Sequence, residues 1–298
     1  MNDQGSRSAS GDSVARFVVI NADDFGLHPN VNRAIIKGHC EGVVTSTSIM
    51  ACGAAFDDAV LQSRKCPGLG IGVHLTLVEE RPLTPADQVP SLVRRDGTMP
   101  DSYMDFSRQW MSRRIRLDDV RRELESQIER VLRAGITPSH LDSHQHVHCL
   151  PGMWKTTIEL AKKYSIPYVR LPYFDSIRID ATPLQSAARW GVNIMAAIRR
   201  RKASPDVRHA DHVKGFAFSG RMSSDRLMSI LQTIRPGLTE IMVHPGIPDE
   251  ELGRKYSHWK GFSWKQDLDA VTDPRIVTYC AEGGIALRNF SCARGRNV

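Results

Sequence analysis

The sequence predicts an α/β fold, a (β/α) barrel that is irregular or incompletely closed, and three observations predict it. Short apolar runs alternate with amphipathic segments, the pattern of a mostly parallel sheet crossed by helices. Several of these runs end in ionisable residues: Asp23 and Asp24, His74, Asp142 and His144, Arg170, and His244. In a barrel such groups converge, because the site gathers at the C-terminal ends of the strands. Finally, 298 residues with 41% hydrophobic content can bury one large core, and barrels of this length are usually single domains. The expected organisation is a solvated tail over residues 1–15 and one barrel domain over residues 16–298.

The elements follow in order. Phe17, Val18, Val19 and Ile20 run straight into Asn21-Ala22-Asp23-Asp24, which reads as a buried parallel strand carrying polar groups at its C-terminal end. Residues 30–40 form a helix that closes near Gly42, and 69–77 a strand with His74 inside it. Over 117–134, Val120, Leu124, Ile128, Val131 and Leu132 share one helical face. Asp118 and Asp119 suit the first turn of that helix, and Gly135 its stop. Residues 136–148 read as a strand loaded with histidines, 153–164 as a helix, and 166–171 as a strand. Leu227, Ile230, Leu231 and Ile234 stripe a helix over 224–234, followed by a strand over 240–244. Residues 276–283 and 285–287 close the chain as helix and strand. Two stretches poor in strand signals, 79–111 and 175–220, read as insertions over the barrel mouth.

Composition narrows the function. No stretch approaches the roughly 20 apolar residues that span a bilayer, and the first residues lack the apolar core of a signal peptide. The six cysteines are scattered without a CxxC pair, which excludes a zinc ribbon and fits a reduced, cytoplasmic protein. A net charge of +7 permits contact with anionic surfaces. The aromatic residues do not interleave with the basic clusters as a base-stacking surface requires, so nucleic acid is not expected.

The chemistry concentrates in Ser139-His140-Leu141-Asp142-Ser143-His144-Gln145-His146-Val147-His148. The histidines and Asp142 recur at period two, so an extended chain points them to one side. Buried imidazoles beside a carboxylate are costly unless paired, hydrogen-bonded or coordinated to a metal, and ligation backed by a carboxylate resolves that cost. Singly, His146 and His148 read equally well as capping or solvated groups. Asp23 and Asp24 sit at a strand end, where neighbours project differently: one can ligate a metal while the other faces a bound water. Alone, the pair also reads as turn chemistry. His74 and His244 are each compatible with a satisfied core histidine, and Glu79-Glu80 reads as a solvated pair.

Four segments together resemble the YdjC-like carbohydrate deacetylases: Ile20-Asn21-Ala22-Asp23-Asp24-Phe25-Gly26-Leu27, Gly72-Val73-His74-Leu75, the histidine segment 140–148, and Met242-Val243-His244-Pro245. The likeness spans about residues 17–288 in the right order. Thr76-Leu77-Val78-Glu79-Glu80-Arg81-Pro82-Leu83 further resembles the branch associated with hopanoid biosynthesis. The resemblance implies a barrel deacetylase with one divalent metal held by Asp24, His74 and His144. It makes Asp23 the general base and puts His244 near the reaction centre. Asp142, His140 and His146 are then supporting or substrate-binding groups, and Arg170 binds sugar oxygens or holds an acid. One carboxylate and two imidazoles suit zinc, while the family is also associated with magnesium.

The implied substrate is an amino sugar bearing an N-acetyl group. A hopanoid lipid carrying N-acetylglucosamine and a soluble chito-oligosaccharide such as diacetylchitobiose both fit, as does a non-catalytic metal-containing binding protein. Within 183–202, Leu184, Ala187, Ala188, Trp190, Ile194, Met195 and Ile198 keep helical spacing ahead of Arg199-Arg200-Arg201-Lys202. Trp beside a basic cluster is typical of interfacial helices and of peripheral membrane contact. Periodicity does not separate that reading from a helix packed over the barrel.

Overall fold

The computed structural model describes residues 15–171, 190, 193–200 and 205–292. Residues 1–14 of the expected tail, and residues 183–189, 191–192 and 201–202 of the basic segment, lie outside the described residues.

Seven parallel strands run in the order β5-β4-β3-β2-β1-β7-β6. They are β1 (Arg16–Phe25), β2 (Ser46–Ile49), β3 (Gly70–Leu75), β4 (His140–Ser143), β5 (Tyr168–Val169), β6 (His212–Lys214) and β7 (Gly237–Val243), with a short β8 (Ala286–Leu287) paired to the start of β1. The sheet curls until its edges meet. Among the described residues a single parallel bridge joins Tyr168 to Arg208, four residues before β6, and Val169 N–H donates to the Arg208 carbonyl at 3.0 Å. The barrel is therefore stitched rather than fully laddered at this seam.

Strand β1 is the axle of the fold, pairing with β7 along Arg16–Ala22 and with β2 from Asn21 onward. Its apolar run is buried on both faces and alternates as a pleat must. Val18 and Ile20 join the large core beneath the helices, while Val19 joins a small inner cluster with Tyr168, Ala210, Val213, Leu238 and Phe290. By the same parity Asn21 and Asp23 face into the barrel.

Helices α1 (Pro29–Cys40), α2 (Phe56–Ser63), α3 (Tyr103–Met111), α4 (Leu117–Arg133), α5 (Met153–Lys163), α6 (Ser224–Gln232), α7 (Glu250–Lys255), α8 (Trp264–Val271) and α9 (Pro274–Glu282) surround the sheet. Helix α4 buries Val120, Leu124, Ile128 and Val131, whereas Leu132 is off that face and 38% exposed. It also buries Asp119, Glu123 and Gln127, spaced by four. These accept amides of the irregular chain after β3: Ser91 at 3.0 Å, Leu83 at 3.0 Å and Thr84 at 2.9 Å, and Thr76 at 2.8 Å. A polar row on one helix thus satisfies a long segment that has no ladder of its own.

Three expectations need correction. The 136–148 strand is short: β4 ends at Ser143, and a 3₁₀ turn with Gln145 and His146 at φ 50° and 56° follows. The period-two alignment of the histidines therefore breaks after His144. The supposed insertion 175–220 contains the sheet strand β6, three residues too short to leave a periodic signal. Strand β2, with three hydroxyl residues among four, and helices α2, α3, α7 and α8 also carried too little pattern to be read.

Candidate active site

The first strand ends in a bulge. Its register with β2 shifts between Ala22 and Phe25, and Asp24 takes φ 70°. Aspartate tolerates this left-handed conformation better than most side chains. The kink re-aims one side chain, as bulges do, so Asp23 and Asp24 both line one cavity although consecutive residues of a regular strand face apart.

Asp24 meets two imidazoles from neighbouring strands. His74 comes from β3 and His144 from the turn after β4. His144 Nδ1 lies 2.9 Å and His74 Nε2 3.4 Å from Asp24 Oδ1, and the donor atoms of the trio lie within 4.8 Å of one another. Ligand bonds of about 2.1 Å at a tetrahedral angle put donor atoms roughly 3.4 Å apart. The spacing fits one shared cation.

The far side of each ring is also occupied. Asp142, paired with His74 across β3 and β4, accepts from His74 Nδ1 at 2.8 Å, and Glu79 Oε2 lies 2.9 Å from His144 Nε2. Burial alone lowers both imidazoles, but the carboxylates overrule it and push His74 up to about 9 and His144 up to about 10. Burial works against the Asp24 carboxylate, yet the two histidines hold it well below its usual range. The pocket is organised around positive charge, and the donor set suits a divalent ion.

Arg170 is fully buried and bonds three acids. Its fork grips Asp23 at 2.6 and 2.7 Å, a terminal nitrogen reaches Asp142 at 2.8 Å, and Nε reaches Glu240 at 2.7 Å. It does not line the cavity. Of its two expected roles, holding an acid is the one the geometry supports. Burial pushes Glu240 up to about 7 against the pull of Arg170, and its Oε2 has no hydrogen-bond partner among the described residues.

His244, the residue after β7, has Nε2 3.8 Å from Asp23 Oδ2, and its backbone N–H donates to Asp267 at 2.8 Å. The remaining histidines disperse. His140 lies beneath the site against Ser48 (3.1 Å) and the Phe290 ring, and burial pushes it down to about 4. His146 meets the Phe216 ring edge-on at the cavity wall. His148 bonds Ser143 and the Arg170 carbonyl at 3.0 Å. The cavity, about 750 Å³, is walled by Trp259, Phe262, Phe216, Leu150 and Tyr103.

Sequence reasoning missed Glu79, Ser48, Glu240, Asp267 and Trp259. Only Glu79 offered a clue, lying five residues after His74; its burial depends on a loop that reaches it from residue 256 onward.

The family model described as YdjC-like protein matches residues 17–282. A carbohydrate deacetylase of Geobacillus stearothermophilus is 33% identical over 93% of this chain and 98% of its own length. One from Mus musculus is 31% identical, over 91% and 92%. A solved structure described as a putative cellobiose-phosphate cleavage protein from Enterococcus faecalis V583 shares the fold with TM-score 0.72 and 26% identity, covering 93% of this chain and 98% of that one. Sequence and fold agree: the chain belongs to the YdjC-like family.

Proposed function

We propose that this chain is a divalent-metal-dependent deacetylase that hydrolyses the N-acetyl group of an amino sugar, releasing acetate and a free amine. The observation that carries it is the Asp24–His74–His144 trio opening, beside Asp23 and His244, into one apolar-walled cavity. The curated relatives named carbohydrate deacetylases support the same reaction. Asp24, His74 and His144 would hold the ion, zinc on ligand chemistry with magnesium as the alternative. When bound, the ion supplies Lewis acidity toward the acetamide carbonyl and acidifies water. Asp23 Oδ2 takes the proton of the attacking water as general base, steadied by the Arg170 fork. His244 Nε2, on the same side of Asp23, hands a proton to the departing amine. Asp142 orients His74.

Within this class the reading extends to a lipid-linked substrate, an N-acetylglucosaminyl hopanoid. Residues 193–200 are helical, and Trp190, Ile194, Met195 and Ile198 are 59%, 47%, 40% and 42% exposed rather than packed on the barrel. That favours the interfacial reading of the basic segment. Arg199 bonds the Cys149 carbonyl at 2.5 Å, and Cys149 lines the cavity, so the basic end of this helix reaches the cavity wall. No described helix is long and apolar enough to cross a membrane, so contact would be peripheral. The alternative substrate is a soluble chito-oligosaccharide. Acetate release is measured from N-acetylglucosaminyl hopanoid in vesicles and from diacetylchitobiose. Acetate from the lipid supports the full reading, acetate from the disaccharide alone refutes lipid linkage, and acetate from neither refutes deacetylation.

A further inference from the structure

We infer that Glu79 is a positioning residue: it fixes the tautomer and tilt of His144, so that His144 presents Nδ1 to the ion while its Nε2–H is committed to Glu79. The inference rests on the metal reading above and adds to it a residue outside the ligand set, together with the choice of ring nitrogen.

Every atom of the Glu79 head is engaged. Oε2 meets His144 Nε2 at 2.9 Å, and Oε1 meets His258 Nε2 at 2.8 Å and accepts from Trp259 Nε1 at 2.9 Å. The carboxylate is buried, its side chain only 7% exposed. The backbone is equally specified: Glu79 holds φ 67°, unusual for a residue with a Cβ, and its N–H donates to the Pro100 carbonyl at 2.8 Å. A non-glycine residue persists there when its surroundings over-determine it.

The arrangement repeats on the other histidine. Asp142 stands behind His74 on Nδ1, leaving Nε2 for Asp24, while Glu79 stands behind His144 on Nε2, leaving Nδ1 for Asp24. Each imidazole has one nitrogen on a carboxylate and the other toward the trio, the support that ligating histidines require. The two rings use opposite nitrogens because they approach from different elements, one within a strand and one from a turn. Glu79 also joins the trio to the cavity wall, since His258 and Trp259 both line it.

The neighbouring Glu80 supplies the control. It is buried too, and bonds Tyr256 at 2.9 Å and Lys255 at 3.0 Å without touching His144. Cobalt(II) titration of the metal-free protein, followed by visible absorption, gives affinity and coordination geometry without turnover. Glu79→Gln presents an amide N–H to Nε2 and favours the tautomer with its proton on Nδ1. It should weaken cobalt binding about 10–100-fold and alter the absorption band. Glu80→Gln should leave affinity within about threefold of wild type. Equal affinity of Glu79→Gln and wild type, or equal loss in both variants, overturns the inference. Failure of the wild type itself to bind cobalt sinks the metal reading instead, and this inference with it. Nitrogen-15 spectra of the zinc-loaded wild type test the tautomer without a variant: Nδ1 bound and Nε2 protonated supports the assignment, and the reverse overturns it.

Discussion

Replacing Arg170 by methionine keeps an unbranched chain in the core but removes the guanidinium that Asp23, Asp142 and Glu240 share. All four groups are buried, with contacts of 2.6–2.8 Å. Removing one partner of a buried ion pair costs about 3–5 kcal/mol, because the charge left behind is uncompensated. Unfolding entropy is about 2.1 cal/mol/K per residue, so at this size 1 kcal/mol moves Tm by roughly 1.6 °C, and the variant should melt about 5–8 °C below wild type near neutral pH. The pH dependence is the sharper signature. Burial already pushes Glu240 up to about 7 with Arg170 present, and without that cation the buried Glu240 carboxyl binds a proton still more readily than it does in the unfolded chain. An acid whose native pKa is raised contributes stability at low pH that is lost as pH rises through that value. The Tm deficit of Arg170→Met should therefore be larger at pH 8 than at pH 5.5, read by circular dichroism melts of both proteins at both pH values. Equal melting at pH 8 would show that the guanidinium does not neutralise the cluster, and a deficit that grows on acidification would refute the sign.

Three further outcomes follow from the geometry. Asp24→Ala, His74→Ala and His144→Ala should each lower metal content measured by elemental analysis, while Asp23→Asn should keep the metal and lose about 10²–10⁴-fold in turnover; wild-type rates for Asp23→Asn would remove the proposed base. A Cβ on Gly72 would sit 2.4–2.5 Å from the His140 ring, so Gly72→Ala should cost about 1–3 kcal/mol in denaturant unfolding, and a neutral result would mean that the ring under the site moves freely. If the exposed stripe meets a bilayer, Trp190→Ser with Ile198→Ser should abolish sedimentation with anionic vesicles and leave hydrolysis of diacetylchitobiose unchanged.

Long, strongly periodic elements were readable in order. The extents of α1, α4, α5 and α6 agree with the expected helices to within about two residues, because each repeats its apolar face over several turns. The strand expected over 166–171 is present but trimmed to the two residues of β5, and β6, with three, was not read at all, because a strand that short is specified by its neighbours rather than by its own pattern. The same limit applies to the insertion after β3, whose course depends on amides accepted by Asp119, Glu123 and Gln127 some forty residues away.

The acids ending the first strand and the crowd of histidines were determined by local sequence, since each depends on spacing within a dozen residues. Which histidines meet was decided only in three dimensions. A bulge at Asp24 and a turn at Gln145 and His146 bring Asp24, His74 and His144 to one point and send His140 and His148 elsewhere. Arg170 as the clamp on three acids, and Glu79 as the partner of His144, likewise arise from chain segments far apart in sequence. Burial there removes water as an alternative partner, so each charge must find its counterpart across the barrel.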